Sequence, residues 1–505
     1  APCLQQMPTP AGLALDWRGD RQYVSMCYSD VVTLWEGERL GAGGLPYRTS
    51  WNAPDPDDPP NARVRAHYLD YPVLTGFFLV ETARFTEHYR ALAAKVPWLP
   101  SGLPEVVFFD VAAAAAAACW LTCVWSVASY RRWRPWDAAL VALSPLALLH
   151  VFTGTDAFPV AAVAGALYAQ ARGRPWLAGA LLGLAAAAKP FAAIVLLAFF
   201  AGGSARSPRP VDTLGTAGGD TPGTAGGDTP GTAGGDTLRT GPRTPIGGVG
   251  GAGRAALATV AVWLVLNVPV ALFASRGWWA FFDDSLREDP GPDSVYYLLS
   301  YLTGWPRFDW AGPPWSVNIA VLVLLVVAVL GVLVVARRAP LPPRPESLAF
   351  LLVAATLLVN KSWSPQFSLW LVPLAVLALP RWRLLFAWMT IDALVWVPRM
   401  FFYVGVDDKG LPAEPFLVMV VIRDAVVILL MTLVARTILV PATDPVRASW
   451  QLPALPESAP ESPAFDHWDG DPYPAETVPD GGELAGSADG ADTAAERTNS
   501  PASPG

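Results

Sequence analysis

The segment SVNIAVLVLLVVAVLGVLVVA (316–336) contains no charged residue. A run of this kind can rest in hydrocarbon only as a helix that satisfies its own backbone. About 20 residues at ~1.5 Å each are enough to cross a bilayer core of ~30 Å. AALATVAVWLVLNVPVALFA (255–274) has the same character. Over all 505 residues the hydrophobic fraction is 53%, the charged fraction 15% and the mean hydropathy +0.35. Soluble domains carry nearer a quarter charged residues. The expected fold class is therefore all-α: a polytopic transmembrane helical protein of about 10–12 helices, short and broken ones included.

Further apolar segments lie at about 104–129, 138–152, 156–171, 175–188, 190–203, 347–360, 366–380, 383–402 and 415–436. YPVLTGFFLVETARF (71–85) is too short to cross comfortably and reads as an interfacial or re-entrant helix. The chain then divides into a polar opening at 1–70, membrane helices at 71–203, a linker at 204–253, a second set of helices at 254–440 and a tail at 441–505. The linker repeats GTAGGDTP at 215–222 and 223–230. Such Gly/Thr sequence has no apolar position with which to build a core and is expected to be disordered. The Pro-, Asp- and Gly-rich tail is expected to be disordered as well.

Charge orients the helices. The net charge is −8, but the 12 acidic residues from Asp444 onward face only Arg447 and Arg497. The tail accounts for the negative balance, the remainder is close to neutral, and no basic surface points to nucleic acid. RRWR (131–134), ARGR (171–174), RRAPLPPR (337–344) and RWR (381–383) concentrate arginine, whereas the alternate loops TGTD (153–156), KSWSPQ (361–366) and VGVDDKG (404–410) hold only Lys361 and Lys409 as cations. By the positive-inside rule the arginine loops are cytoplasmic. Residues 1–70, 153–156, 275–315, 361–366 and 404–413 then face outward, and the tail is cytoplasmic. The expected location is the plasma membrane, with a first helix preceding residue 1.

Polar residues gather on the outward side. They are Tyr28, Ser29 and Asp30; His67 and Asp70; His150 and Asp156; Lys189; the stretch 278–297; NKSWSPQ (360–366); Arg399; and Asp407, Asp408 and Lys409. Charges near a bilayer are costly and often functional. Lys189, before Pro190, is either a snorkelling anchor or an anion ligand, and Lys361 before Pro365 admits the same two readings. Asp156 and Asp30 each precede a helical pattern and could be plain caps. Asp55–Asp57 in PDPDD reads as solvated loop. Cys119 and Cys123 read as small buried hydrophobes, and Cys3 and Cys27 as a disulfide in an oxidising compartment or as two free thiols. No Walker loop, GxGxxG, HExxH or CxxC metal pair occurs, so neither a metal nor a cofactor is expected.

An outward cleft with a carboxylate and cations at the depth of a lipid phosphate suits sugar transfer. A carboxylate takes the proton of an acceptor hydroxyl, cations stabilise the departing phosphate, and apolar helices hold the lipid chain.

CYSDV with LW and LPY (27–47), YPVLTGFF (71–78), RPWDAALVALSP (134–145), GRPWLAGALLGLAAAAK (173–189), NKSWSPQFSLWLVPLAVLA (360–378) and DDKGLP (407–412) occur in that order. Together they resemble the actinobacterial GT-C glycosyltransferases, specifically the mannosyltransferase-like family that uses polyprenyl-phosphate mannose. The resemblance implies inverting hexosyl transfer, of mannose, from the polyprenyl phosphate to an extracytoplasmic lipid or glycan acceptor. It implies Asp30 as catalytic base, Lys189 and Lys361 on the donor phosphate, and Tyr28, Tyr71, Asp156 and Gln366 as substrate-binding residues. Gly154-Thr155-Asp156, Lys189-Pro190-Phe191 and Asp70-Tyr71-Pro72 stand where that family often has Asn-Trp-Asp, Lys-Leu-Tyr-Pro and Glu-Tyr-Pro. Two other readings compete. A lipid or solute transporter would show paired inverted halves, and an inactive membrane scaffold would use the acidic tail for partners.

Overall fold

Proline sets many of the helix starts. Pro104, Pro145, Pro175 and Pro345 each stand in the first turn of a helix, where a fixed φ suits the helix and the missing N–H costs nothing. Pro190 and Pro365 open the 3-10 turns Pro190–Ile194 and Pro365–Trp370, which run on into α-helix. The structure, a computed structural model, describes residues 4–10, 12–53, 65–203, 249–305 and 313–448.

The chain begins with an antiparallel hairpin, β1 (Gln6–Thr9) and β2 (Gly12–Leu15), followed by the short helices α1 (Arg21–Val24) and α2 (Asp30–Gly37). A second antiparallel pair, β3 (Trp51–Ala53) and β4 (Arg65–His67), follows. Then come α3 (Val73–Ala93), α4 (Pro104–Tyr130), α5 (Ala138–Ala142), α6 (Pro145–His150), α7 (Ala157–Ala171), α8 (Pro175–Ala188) and α9 (Val195–Gly203). The second half holds α10 (Val249–Phe273), α11 (Ser275–Arg287), α12 (Val295–Thr303), α13 (Trp315–Arg338), α14 (Pro345–Val359) and α15 (Leu371–Ala378). It ends with α16 (Trp382–Leu394), α17 (Trp396–Val404), α18 (Ala413–Leu439) and α19 (Pro445–Ala448).

The fold is the expected polytopic all-α class. Pro104–Tyr130, Gly250–Phe273, Trp315–Arg338, Trp382–Val404 and Ala413–Leu439 are long and apolar enough to cross a membrane. Ala157–Ala171, Pro175–Ala188, Pro190–Gly202, Pro345–Val359 and Pro365–Ala378 are shorter apolar helices. α15 is apolar on all sides, α14 is nearly so beyond Glu346 and Ser347, and nearly every residue of both is buried, as expected for helices enclosed by others. At 15 residues α14 is ~22 Å long. That is short of the ~30 Å of a bilayer core.

Glycines let several elements approach closely. A side chain at Gly179 would collide with the Ala255 backbone, and one at Gly183 would lie 2.8 Å from the Thr259 carbonyl oxygen. Thr259 Oγ1 donates to the Gly179 carbonyl at 3.0 Å, so α8 and α10 meet backbone to backbone. Tyr47, 2% exposed, is wedged between α3 and α11. A Cβ at Gly76 would strike its hydroxyl, and one at Gly277 would strike its main-chain carbonyl.

Several sequence expectations need correction. The 71–85 piece is the first part of α3, a 21-residue helix whose later turns carry the pairs Glu81–Arg84 and Glu87–Arg90. Residues 275–315, expected only as an outward polar stretch, contain α11 and α12. The 138–152 segment is broken, because Ser144 caps α6 by accepting from Ala147 N at 3.4 Å. α10 starts at Val249, inside the stretch assigned to the linker, and residues 441–448 form short helical turns. The GTAGGDTP repeats and the tail from 449 onward lie outside the described residues.

The helix ends sort by chemistry. At one end Glu346 Oε1 meets Arg131 at 2.6 Å and Arg344 at 2.8 Å, while Arg344 also holds Asp444 at 3.0 Å. The other end holds the turn at 151–156, Lys189 and the 360–370 loop.

Candidate functional site

Asp30 is the first residue of α2, and Ser29 before it is extended. A carboxylate here faces the positive end of a short helix. Ser29 Oγ donates to the Phe152 carbonyl at 2.8 Å, and Asp30 N donates to the Thr153 carbonyl at 3.0 Å. These bonds fasten α2 to the turn between α6 and α7. Gln366, from the 3-10 turn ahead of α15, donates through Nε2 to Asp30 Oδ2 at 2.8 Å. Gly154 leaves room for this: a Cβ there would lie 3.3 Å from Gln366 Cγ and 3.6 Å from Asp156 Oδ2. A bulkier residue at 154 would press on both.

Asp156, 2% exposed, accepts from Trp370 Nε1 at 2.9 Å through Oδ1. Lys189 Nζ lies 3.8 Å from the same oxygen and 4.7 Å from the centre of the Phe367 ring. Lys189 sits at the break where α8 gives way to the Pro190 turn. It therefore has one carboxylate partner at long range and keeps capacity for an anion.

The Asp30 carboxyl is raised above the usual carboxylate range, first by burial. Arg399, hydrogen bonds from Tyr28 and Gln366, and Lys189 pull it back down. Tyr28 rests against Tyr23 with ring centres 5.4 Å apart, and Tyr23 stacks on Tyr403 at 5.6 Å. Arg399 lies 4.7 Å from the Tyr403 ring centre and pairs with Asp293 Oδ2 at 2.9 Å. Arg423 Nη2 donates to the Asp293 carbonyl at 2.7 Å. Arg399 thus reaches Asp30 as a fixed cation whose own partner is fixed in turn.

Tyr71 is half-buried, and its hydroxyl is raised well above the phenol range by burial and by Asp30, Glu38, Asp70 and Asp156. It stays a neutral donor among four carboxyl groups. Its carbonyl accepts from Tyr47 Oη at 2.8 Å. Beyond it, desolvation and neighbouring acids push Asp70 up to about 8, and desolvation with Asp284 pushes Glu38 up to about 7. Asp70 N donates to Glu38 Oε2 at 3.4 Å.

The structure brings Asp30, Gln366, Asp156, Lys189, Tyr28 and Tyr71 to one end of the bundle. Lys361 shares that end, but its Nζ donates to the Glu288 carbonyl at 2.6 Å and to Asn318 Oδ1 at 3.1 Å, bracing the turn after α11. Burial lowers its affinity for a proton, against Glu288 and Asp289. Cys27 is disulfide-bonded and Cys119 and Cys123 are free thiols; the Cys3 end of the expected pair lies outside the described residues. Among the described residues no group of three or more His, Cys, Asp and Glu side chains could hold a metal ion.

Sequence reasoning gathered Arg399 and the 278–297 stretch on this face without giving them roles, and it passed over Glu38 and Trp370. Arg399 pairs across 106 positions with Asp293, a distance no local pattern reports. Its place in an apolar helix was the available signal.

Residues 73–210 match the model of Glycosyltransferase family 87. The match takes in Asp156 and Lys189 and excludes Asp30, Lys361 and Gln366. None of the curated proteins matches the chain. Together with the apolar helices, the match supports a membrane glycosyltransferase.

Proposed function

We propose that the chain transfers a hexose, mannose in the first instance, from a polyprenyl-phosphate donor to a hydroxyl of a lipid or glycan acceptor on the extracytoplasmic face. The observation that carries this reading is the juxtaposition at one helix end of Asp30, held by Gln366 at 2.8 Å, with the Asp156–Lys189 pair. In the proposed reaction the acceptor oxygen attacks the sugar C1 from the face opposite the phosphate. Asp30 takes the hydroxyl proton. The C1–O bond to phosphate breaks, its electron pair leaves with the phosphate, and Lys189 offsets the charge that develops there. C1 is inverted. Tyr71, a neutral donor near Asp30, orients a sugar hydroxyl. A raised carboxyl makes Asp30 a stronger base than a solvated aspartate once it is deprotonated.

Membranes carrying the full chain or Asp30→Asn are supplied with radiolabelled polyprenyl-phosphate mannose and total lipid acceptors. The expected outcome is a labelled product that falls by about 10²-fold or more in the variant at equal protein level. Transfer unaffected by Asp30→Asn would remove Asp30 as base. No transfer from the wild type would count against the enzyme reading with this donor.

A further inference from the structure

A concavity lies between the second hairpin and α11. It has a volume of about 400 Å³, at the lower end of the ~300–1,000 Å³ usual for small-ligand sites. Its walls carry the groups that hold a neutral, hydroxyl-rich ring. Trp279 is 60% exposed and offers a flat face to the C–H side of a pyranose. Asp283 and Asp284 supply acceptor oxygens, and Arg276, Tyr68 and His67 supply donors. Arg287 meets Asp283 at 3.1 Å, which fixes that carboxylate on its helix.

We propose that this cavity, walled by His67, Tyr68, Arg276, Trp279, Asp283 and Asp284, is the subsite for the sugar headgroup of the acceptor. The assignment rests on the glycosyltransferase reading and deepens it.

Its position favours the acceptor over the donor. The cavity's His67 and Tyr68 wall runs on through Leu69 into the Asp70–Tyr71 turn, where Asp70 N donates to Glu38 Oε2 at 3.4 Å. Glu38 caps the C-terminal end of α2, so the cavity is linked to the helix that Asp30 begins. Lys189, the cation assigned to the phosphate, is beside Asp156. Inversion requires the nucleophile and the leaving phosphate on opposite faces of C1, and the cavity and Lys189 belong to different elements, β4 with α11 and the end of α8. α11 itself carries Trp278, Trp279, Phe281 and Phe282, as a helix lying along a lipid interface does. A headgroup bound here keeps its lipid in the membrane.

The full chain in nanodiscs, as wild type, Trp279→Ala, Asp284→Asn and Asp30→Asn, is titrated with octyl α-mannoside and methyl α-mannoside by saturation-transfer NMR. Binding to the wild type and to Asp30→Asn, weakened at least tenfold in Trp279→Ala and Asp284→Asn, is expected. Binding of the octyl compound alone identifies a glycolipid source; equal binding of both identifies a free glycan. Circular dichroism checks the fold of each variant, and Asp284→Asn, nearly isosteric, carries the test where Trp279→Ala fails to fold. Mannoside binding that ignores both substitutions overturns the subsite, as does its absence in the wild type while millimolar Ca²⁺ binds and is lost in Asp284→Asn. Because the readout is binding, saccharide held here with no transfer from this donor would count against the enzyme reading alone. Transfer that needs Asp30 but binding indifferent to Trp279 and Asp284 would overturn the subsite alone.

Discussion

Gln366 donates a single hydrogen bond to the Asp30 carboxylate at 2.8 Å, and that bond favours the charged form. Removing it raises the Asp30 pKa further. A general base works above its own pKa, so the acid limb of the rate profile must move to higher pH. Gln366→Leu is expected to shift that limb upward with transfer at alkaline pH retained, read from kcat/KM against pH. A limb that stays put, or moves down, would mean that another group titrates. Residues of this kind show the limit of sequence reading. Asp30 could be singled out because a carboxylate before an apolar helix in a polar stretch is conspicuous. Its partner is 336 positions away, and nothing local in either segment announces the contact. The same holds for Lys361, whose break before Pro365 looks like that at Lys189 but whose ammonium is occupied by main-chain carbonyls.

At the scale of elements, α8 and α10 depend on glycine. Gly183→Val would drive a branched side chain into the Thr259 carbonyl and Val262, an overpacking that costs about 1–3 kcal/mol. Gly331 on α13 has no atom within 4 Å of its built Cβ, and only 6% of the most apolar window of that helix is buried. Thermal unfolding in detergent should show a lower midpoint for Gly183→Val and one near wild type for Gly331→Val. Equal midpoints would mean that the α8–α10 approach is looser than described. Gly179 and Gly183, four apart in an apolar helix, were a readable sign of this contact. Helices with an unbroken apolar run were legible to within a few residues, as at α8 and α18. α11 was not, because its charges Asp283, Asp284 and Arg287 interrupt hydropathy while its aromatics lie on another face. The hairpins of the opening segment, only three or four residues per strand, were too short to register.

At the scale of the molecule, the two ends carry different chemistry, and this yields a topological prediction. Arg338 and Asp407 are both exposed, the first at the arginine-rich end and the second on the loop before α18. In a background lacking Cys119, a membrane-impermeant maleimide should label Asp407→Cys in intact cells and Arg338→Cys only after permeabilisation. The reverse pattern would put the proposed site on the cytoplasmic side and remove an extracytoplasmic acceptor. The arginine end is closed by ionic contacts, with Glu346 shared between Arg131 and Arg344. At the opposite end the ion pairs include Asp156–Lys189 and Asp293–Arg399.

Tyr47 ties the two scales together, and its two glycine neighbours answer to different parts of it. Gly76 is held small by the Tyr47 hydroxyl, and Gly277 by the Tyr47 main chain. Sequence drift at 47 and 76 cannot then be independent. A shorter side chain at 47 would relieve the closest clash at 76 and leave only the end of Leu69, whose Cδ2 is 2.9 Å from a Cβ there, to shift, so those two positions can change as a compensating pair. No choice at 47 moves its own carbonyl, so position 277 has no such partner. Among homologous chains, variation at 76 should track variation at 47, while 277 should stay glycine whatever 47 becomes.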